Sequence, residues 1–198
     1  MITTKDLAKL TQKKHRDQMG LCIIEGTKLV EEHRDKIITT FKREPYGIVG
    51  VAKIPKPTAP TTPYIVLDGI QDPGNVGTIL RTARAFGFNT VYFTGDTADA
   101  WSPKVIRSAM GNQFGMNIIE GFESVPLGSK LYIADMQGGT MTRPKEKNFG
   151  IVFGSEGSGV SEKIKAMPHE VISIPMKNGT ESLNVAVACG IILHGWSQ

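Results

Sequence analysis

From residue 64 onward, short apolar runs alternate with amphipathic stretches. The runs fall at 64–67, 90–93, 130–134, 149–153 and 171–174, and each is short and rich enough in Val, Ile, Tyr or Phe to read as a buried strand. Between and after them, helices are expected at about 76–88, 103–110, 161–167 and 184–196. A strand followed by a covering helix returns to pair in parallel, so the pattern predicts an α/β domain on a mostly parallel sheet. Ligand sites in such sheets lie beyond the carboxyl ends of the strands, which directs attention to the loops that follow them.

Before residue 64 the pattern differs. Residues 3–18 are polar and helix-compatible, Cys22-Ile23-Ile24 reads as a strand turning into a helix over 25–32, and 46–52 is a second strand candidate. Four prolines within 54–63 exclude a regular element there. That stretch is expected to be a linker, dividing a short N-terminal segment, 1–60, from a larger domain, 61–198.

Charge sharpens this division. Residues 1–60 carry twelve Lys/Arg against seven Asp/Glu, an excess of +5, while the remainder is close to balanced. A basic front suits contact with a polyanion, although the same residues also serve as a solvated surface. No run of about 18 apolar residues is present to span a bilayer, and no apolar stretch follows the charged N-terminus as a secretion signal requires. Cytoplasmic location without a membrane partner is the expectation. Cys22 and Cys189 stand far apart with no CxxC pattern and are assigned to packing. His15, His33, His169 and His194 lack ligand spacing, so no metal site is expected.

Three loops carry candidate chemistry. After the run at 64–67 comes Asp68-Gly69-Ile70-Gln71-Asp72-Pro73-Gly74-Asn75-Val76-Gly77-Thr78-Ile79-Leu80-Arg81, a Gly-containing turn into a helix that presents Arg81 and Arg84 on one polar side. Asp72 or Asn75 could cap that helix; the turn and the arginines together suit a phosphate or a polarised oxygen. It is no Walker loop, because Gly-Lys-Ser/Thr is missing. After 149–153 comes Gly154-Ser155-Glu156-Gly157-Ser158-Gly159, which would let a flat or anionic ligand approach the backbone closely and places one acid beside it. After 171–174 comes Pro175-Met176 and then Ser182-Leu183-Asn184, where Ser182 or Asn184 could cap the last helix.

Taken in order, Asp72-Pro73-Gly74-Asn75 to Arg81, Gly154-Ser155-Glu156-Gly157, and Ile174-Pro175-Met176 with Glu181-Ser182-Leu183-Asn184 resemble the three motifs of the SpoU (TrmH-like) branch of the SPOUT RNA methyltransferases. The resemblance spans about 64–196. It implies a SPOUT fold with a C-terminal trefoil knot, a homodimer with active sites at the subunit interface, and S-adenosylmethionine as cofactor. It also implies that Gly154, Gly157, Ile174, Met176 and Leu183 line the cofactor pocket and that Asn75, Arg81, Glu156, Ser182 and Asn184 form the polar catalytic set. Arg81 would meet a ribose 2′-hydroxyl and its neighbouring phosphate. A guanidinium gives up a proton with great difficulty, so a positioning and charge-stabilising role suits it better than that of a base.

The N-terminal segment carries its own resemblance. Residues 23–32 and 45–51 are similar to the two ends of the ribosomal-protein-like substrate module of ribosomal-RNA members, with only about a dozen residues where that module has its middle. Ribosomal RNA is therefore the favoured substrate and transfer RNA the alternative. An RNA-binding protein of the same fold without turnover, or a nucleotide-binding α/β protein, are the rival classes; intact Asn75, Arg81, Glu156, Ser182 and Asn184 argue against the first of them.

Overall fold

The computed structural model describes residues 2–177 and 182–197, so 178–181 of the third loop lie outside the described residues. The larger sheet contains β4 (Tyr64–Asp68), β5 (Thr90–Thr94), β6 (Asn117–Glu120), β7 (Lys130–Thr140), β8 (Phe149–Gly154) and β9 (Glu170–Ser173). Their order is β6-β5-β4-β8-β7-β9, and every pairing is parallel. Side chains alternate between the two faces, as strand geometry requires. Ile65, Leu67, Ile151 and Phe153 enter one apolar cluster, while Tyr64, Val66 and Val152 enter another on the opposite face. Four helices cover the sheet: α4 (Pro73–Ala85), α5 (Pro103–Ser108), α6 (Glu162–Lys165) and α7 (Val185–Ser197).

The sequence pattern locates all five of its expected strands and all four helices, with shifts that have local causes. Helix α4 begins at Pro73 rather than near 76, because Asp72 Oδ1 accepts the Asn75 N–H at 2.7 Å and Pro73 occupies a first-turn position where its missing donor costs nothing. Strand β7 runs on to Thr140 because it pairs with β9 twice, at Ala134↔Ile172 and again at Gly139↔Ile172, with the residues between looped out. Strand β6, absent from the pattern reading, is a four-residue edge strand in which only Ile118 is buried.

The N-terminal part comprises α1 (Thr4–Lys9), α2 (Lys13–Met19), β1 (Leu21–Glu25), α3 (Thr27–Glu32), β2 (Ile37–Arg43) and β3 (Gly47–Lys53). These form an antiparallel sheet of order β1-β3-β2. The stretch expected to lack the middle of a module thus supplies a whole strand, β2, that the sequence reading did not assign. No helix or strand occurs between Lys53 and Tyr64. Cys22, Ile24, Leu29, Val30 and Ala52 nevertheless join the same apolar cluster as the larger sheet. Polar ties cross the same junction: Arg16 pairs with Asp99, Arg107 Nη1 donates to Glu25 Oε2 at 2.7 Å, and a His33 ring nitrogen lies 3.2 Å from the Met110 carbonyl.

Candidate active site

The carboxyl ends of β8 and β9 and the looped-out middle of β7 converge with the start of α7 around a cavity of about 590 Å³. That volume falls in the roughly 300–1,000 Å³ range of small-molecule sites. Phe153, Ile172, Val185 and Ile192 give it an apolar interior, whereas Glu156, Ser182 and Asn184 bring polar groups to its wall. The five residues expected to line a cofactor pocket, Gly154, Gly157, Ile174, Met176 and Leu183, all border this cavity.

Of the expected catalytic set, three side chains are joined directly. Asn184 Nδ2 donates to Asn75 Oδ1 at 3.0 Å, and Asn75 Nδ2 donates to Glu156 Oε1 at 2.5 Å. The amide of Asn75 therefore links the third loop to the second, using its oxygen toward one and its nitrogen toward the other. Asn184 is fixed in turn because its Oδ1 caps α7, accepting from Ala186 N at 2.9 Å and Val187 N at 3.3 Å. Ser182 borders the cavity beside Glu156 and Asn184. Arg81 stands apart. It is exposed on α4, and among the described residues it makes no hydrogen bond or ion pair. It lies six positions along the helix from Asn75, roughly 9 Å along the axis and on a different side. Arg84, expected to share its polar side, instead donates to the Gly115 carbonyl.

The two cavity glycines differ in what demands them. A Cβ at Gly154 would lie 2.3–2.5 Å from backbone atoms of Gly159 and Val160, so only glycine lets the loop fold back over the end of β8. Gly159 N and Ser155 O, and Ser155 N and Gly159 O, close that loop with two 3.0 Å hydrogen bonds. A Cβ at Gly157 would meet nothing within 4 Å, so the fold leaves this position free and the space beside it open.

Two parts of the wall escaped the sequence reading. Asp135, Met136 and Gln137 project from the looped-out segment of β7, and Lys165 comes from α6. The first had a signal: a strand followed by Asp135 and then Gly138-Gly139 repeats the strand-then-glycine pattern of the other loops. Gly138 serves close packing, since a Cβ there would sit 2.5–2.8 Å from the Ile172 backbone. Lys165 had none, being one of many helix-borne lysines. Its Nζ pairs with Glu162 at 3.0 Å.

A parallel α/β sheet with a small-molecule cavity and a linked polar set at its carboxyl edge is the frame of a cofactor-dependent enzyme. The SpoU rRNA Methylase family model matches residues 62–194, and an MRM3-like substrate binding domain model matches residues 3–41. The 23S rRNA (guanosine(2553)-2′-O)-methyltransferase of Bacillus subtilis is 30% identical over 96% of this chain and 94% of its own length. A solved structure of an AdoMet-bound rRNA methyltransferase from Sinorhizobium meliloti superposes with a TM-score of 0.83 at 28% identity, covering 96% of this chain and 92% of that one. A structure from Porphyromonas gingivalis, assigned to the TrmH family of RNA methyltransferases, gives the same TM-score and identity over 99% of this chain and 98% of its own. The chain belongs to the SpoU rRNA methylase family and has its SPOUT fold.

Proposed function

We propose that this protein is a cytoplasmic homodimer that uses S-adenosylmethionine to methylate a ribose 2′-hydroxyl in structured RNA, with ribosomal RNA favoured over transfer RNA. The observation that carries the reading is the hydrogen-bonded series Asn184, Asn75, Glu156 at the wall of the cavity, which unites all three loops in one place. The cavity fits the cofactor in size and character: its apolar interior suits an adenine and the methylene groups of a methionine chain, and Gly157 leaves the backbone beside it approachable. When bound, S-adenosylmethionine supplies an electrophilic methyl group on a sulfonium. The chain's contribution is to orient the acceptor and exclude water. Glu156 uses one carboxylate oxygen on Asn75 and keeps acceptor capacity for a hydroxyl or an ammonium group.

Arg81 is assigned to the acceptor of the partner subunit's site, which accounts for its distance from Asn75. The exposed apolar residues Val187 and Ile191, four apart on α7, with exposed Leu183 just before the helix, favour a second copy of the chain as the covering surface. The trefoil knot belongs to the same proposal; β8 seated between β4 and β7, with α7 packed back against α4, is consistent with it. The basic N-terminal part, 1–60, is assigned to RNA recognition, supported by its match to a substrate-binding model and by the ribosomal substrate in the name of the Bacillus relative. Calorimetric titration with S-adenosylmethionine tests the reading at its base. Saturable binding that Gly157→Leu weakens at least tenfold is the expected result; no binding at millimolar cofactor contradicts it.

A further inference from the structure

We infer that Ser108 is a positioning residue for Asn75, acting across the contact between α5 and α4; the inference rests on the reading of Asn75 as part of the methyl-transfer site. The Gly74 carbonyl and the Asn75 N–H are the two ends of one planar peptide unit. Ser108 Oγ donates to the Gly74 oxygen at 3.0 Å, and Asp72 Oδ1 accepts from the Asn75 nitrogen at 2.7 Å. Thr78 Oγ1 adds a second donor to the same carbonyl at 2.8 Å. A peptide plane held at both ends cannot rotate freely, and the Asn75 Cα sits at its corner. The direction in which the Asn75 amide leaves the backbone, toward Glu156 on one side and Asn184 on the other, is thereby set.

The sequence provides for this contact specifically. Gly77 lies one turn below, and a Cβ there would come within 2.4 Å of the Ser108 Cβ and 2.8 Å of the Ala109 nitrogen. Glycine at 77 is what lets α5 approach closely enough for the hydroxyl to reach. A serine at a helix end ordinarily bonds back to its own preceding turn, a local arrangement that fixes nothing else. Ser108 instead reaches a carbonyl 34 residues earlier in the chain. The neighbouring Arg107 donates to Glu25 of β1 at 2.7 Å. Helix α5 is therefore held between the N-terminal sheet and the turn that bears Asn75.

Ser108→Ala and Ser108→Cys test this in the full-length protein. The Cys variant keeps the volume but offers only a weak donor, so it separates hydrogen bonding from packing. In both, the Asn75 side-chain amide resonances, assigned by their loss in Asn75→Ala, should move toward those of a free asparagine. Turnover should fall roughly three- to tenfold, the range expected when one hydrogen bond is removed, with KM for RNA and cofactor affinity changed less than twofold. Unmoved Asn75 resonances with undiminished turnover would overturn the inference, as would full recovery in the Cys variant, which would make the role one of packing. Full turnover in Asn75→Ala would instead sink the catalytic reading of Asn75, while the resonances would still report whether Ser108 orients it.

Discussion

Single residues settle what the loop motifs left open. Asp72, not Asn75, caps α4, and Asn184 caps α7, so Asn75 is released from a structural duty and its amide is free to bridge two loops. The glycines separate in the same way. Gly157→Leu should fold normally and lose cofactor affinity by at least tenfold, since it fills open space at the cavity wall. Gly154→Leu should lower the melting temperature as well, because its side chain must displace the backbone of Gly159. Thermal melts beside calorimetry distinguish the two; a Gly157→Leu protein with intact affinity would show that the pocket lies elsewhere. The cysteines are packing residues: both are buried, and burial pushes the Cys22 thiol up to about 12 and that of Cys189 higher still. A raised folded pKa means that the neutral thiol favours the folded state fully below the unfolded value of 9.0 and that this contribution is lost as pH rises. Stability should therefore fall above about pH 9, each thiol contributing a slope of about 1.4 kcal/mol per pH unit. Urea melts between pH 8 and 10.5 check this, and Cys22→Ala should flatten the slope; an unchanged slope in that variant would exclude Cys22 as a cause.

At the scale of elements, what the sequence made legible follows from burial. Strands β4 and β8 are buried along almost their whole length and announce themselves as continuous apolar runs. Strand β2 lies at the edge of its sheet, alternates half-buried with exposed positions, and mixes Ile37, Thr39 and Phe41 with Ile38, Thr40 and Lys42, so its signal is weak without a partner strand to set the register. The looped-out segment of β7 is a tertiary feature, fixed by where Ile172 falls rather than by its own residues. The same limit applies to Arg81, whose identity is plain from the motif while its partner is not. The N-terminal elements also change how RNA binding is best probed. Because β1 and α3 share an apolar cluster with the larger sheet, removing 1–60 would open the core. Surface substitutions are cleaner: Lys5 on α1, Lys14 on α2 and Lys42 on β2 are exposed and make no ion pair among the described residues. Changing all three to Gln should reduce the salt dependence of RNA binding, by roughly 0.7–0.9 in log–log slope for each phosphate that is no longer neutralised, and leave cofactor binding unaltered. An unchanged slope would confine this surface to solubility.

Across the whole molecule, the separation of Arg81 from Asn75, Glu156 and Asn184 divides the expected catalytic set in two, and a second subunit is the proposed means of reuniting it. If so, Arg81→Ala chains and Gly157→Leu chains, each inactive alone, should regain activity when combined in doubly tagged heterodimers, where one composite site pairs an intact arginine with an intact cavity. Heterodimers no more active than either parent would refute a shared site. The fold class was readable because strand and helix alternate so regularly; the proposed subunit contact was not readable from the pattern, since exposed Val187 and Ile191 carry the same apolar signature as buried Ile192 and Leu193 beside them. The central claim is the identity of the acceptor atom. Its most direct test is to incubate RNA from cells lacking this gene with the full-length protein and S-adenosylmethionine carrying a labelled methyl group, digest the product to nucleosides, and identify the labelled one by chromatography and mass spectrometry. A single 2′-O-methylated nucleoside from ribosomal RNA is the expected result; label on a base would contradict it.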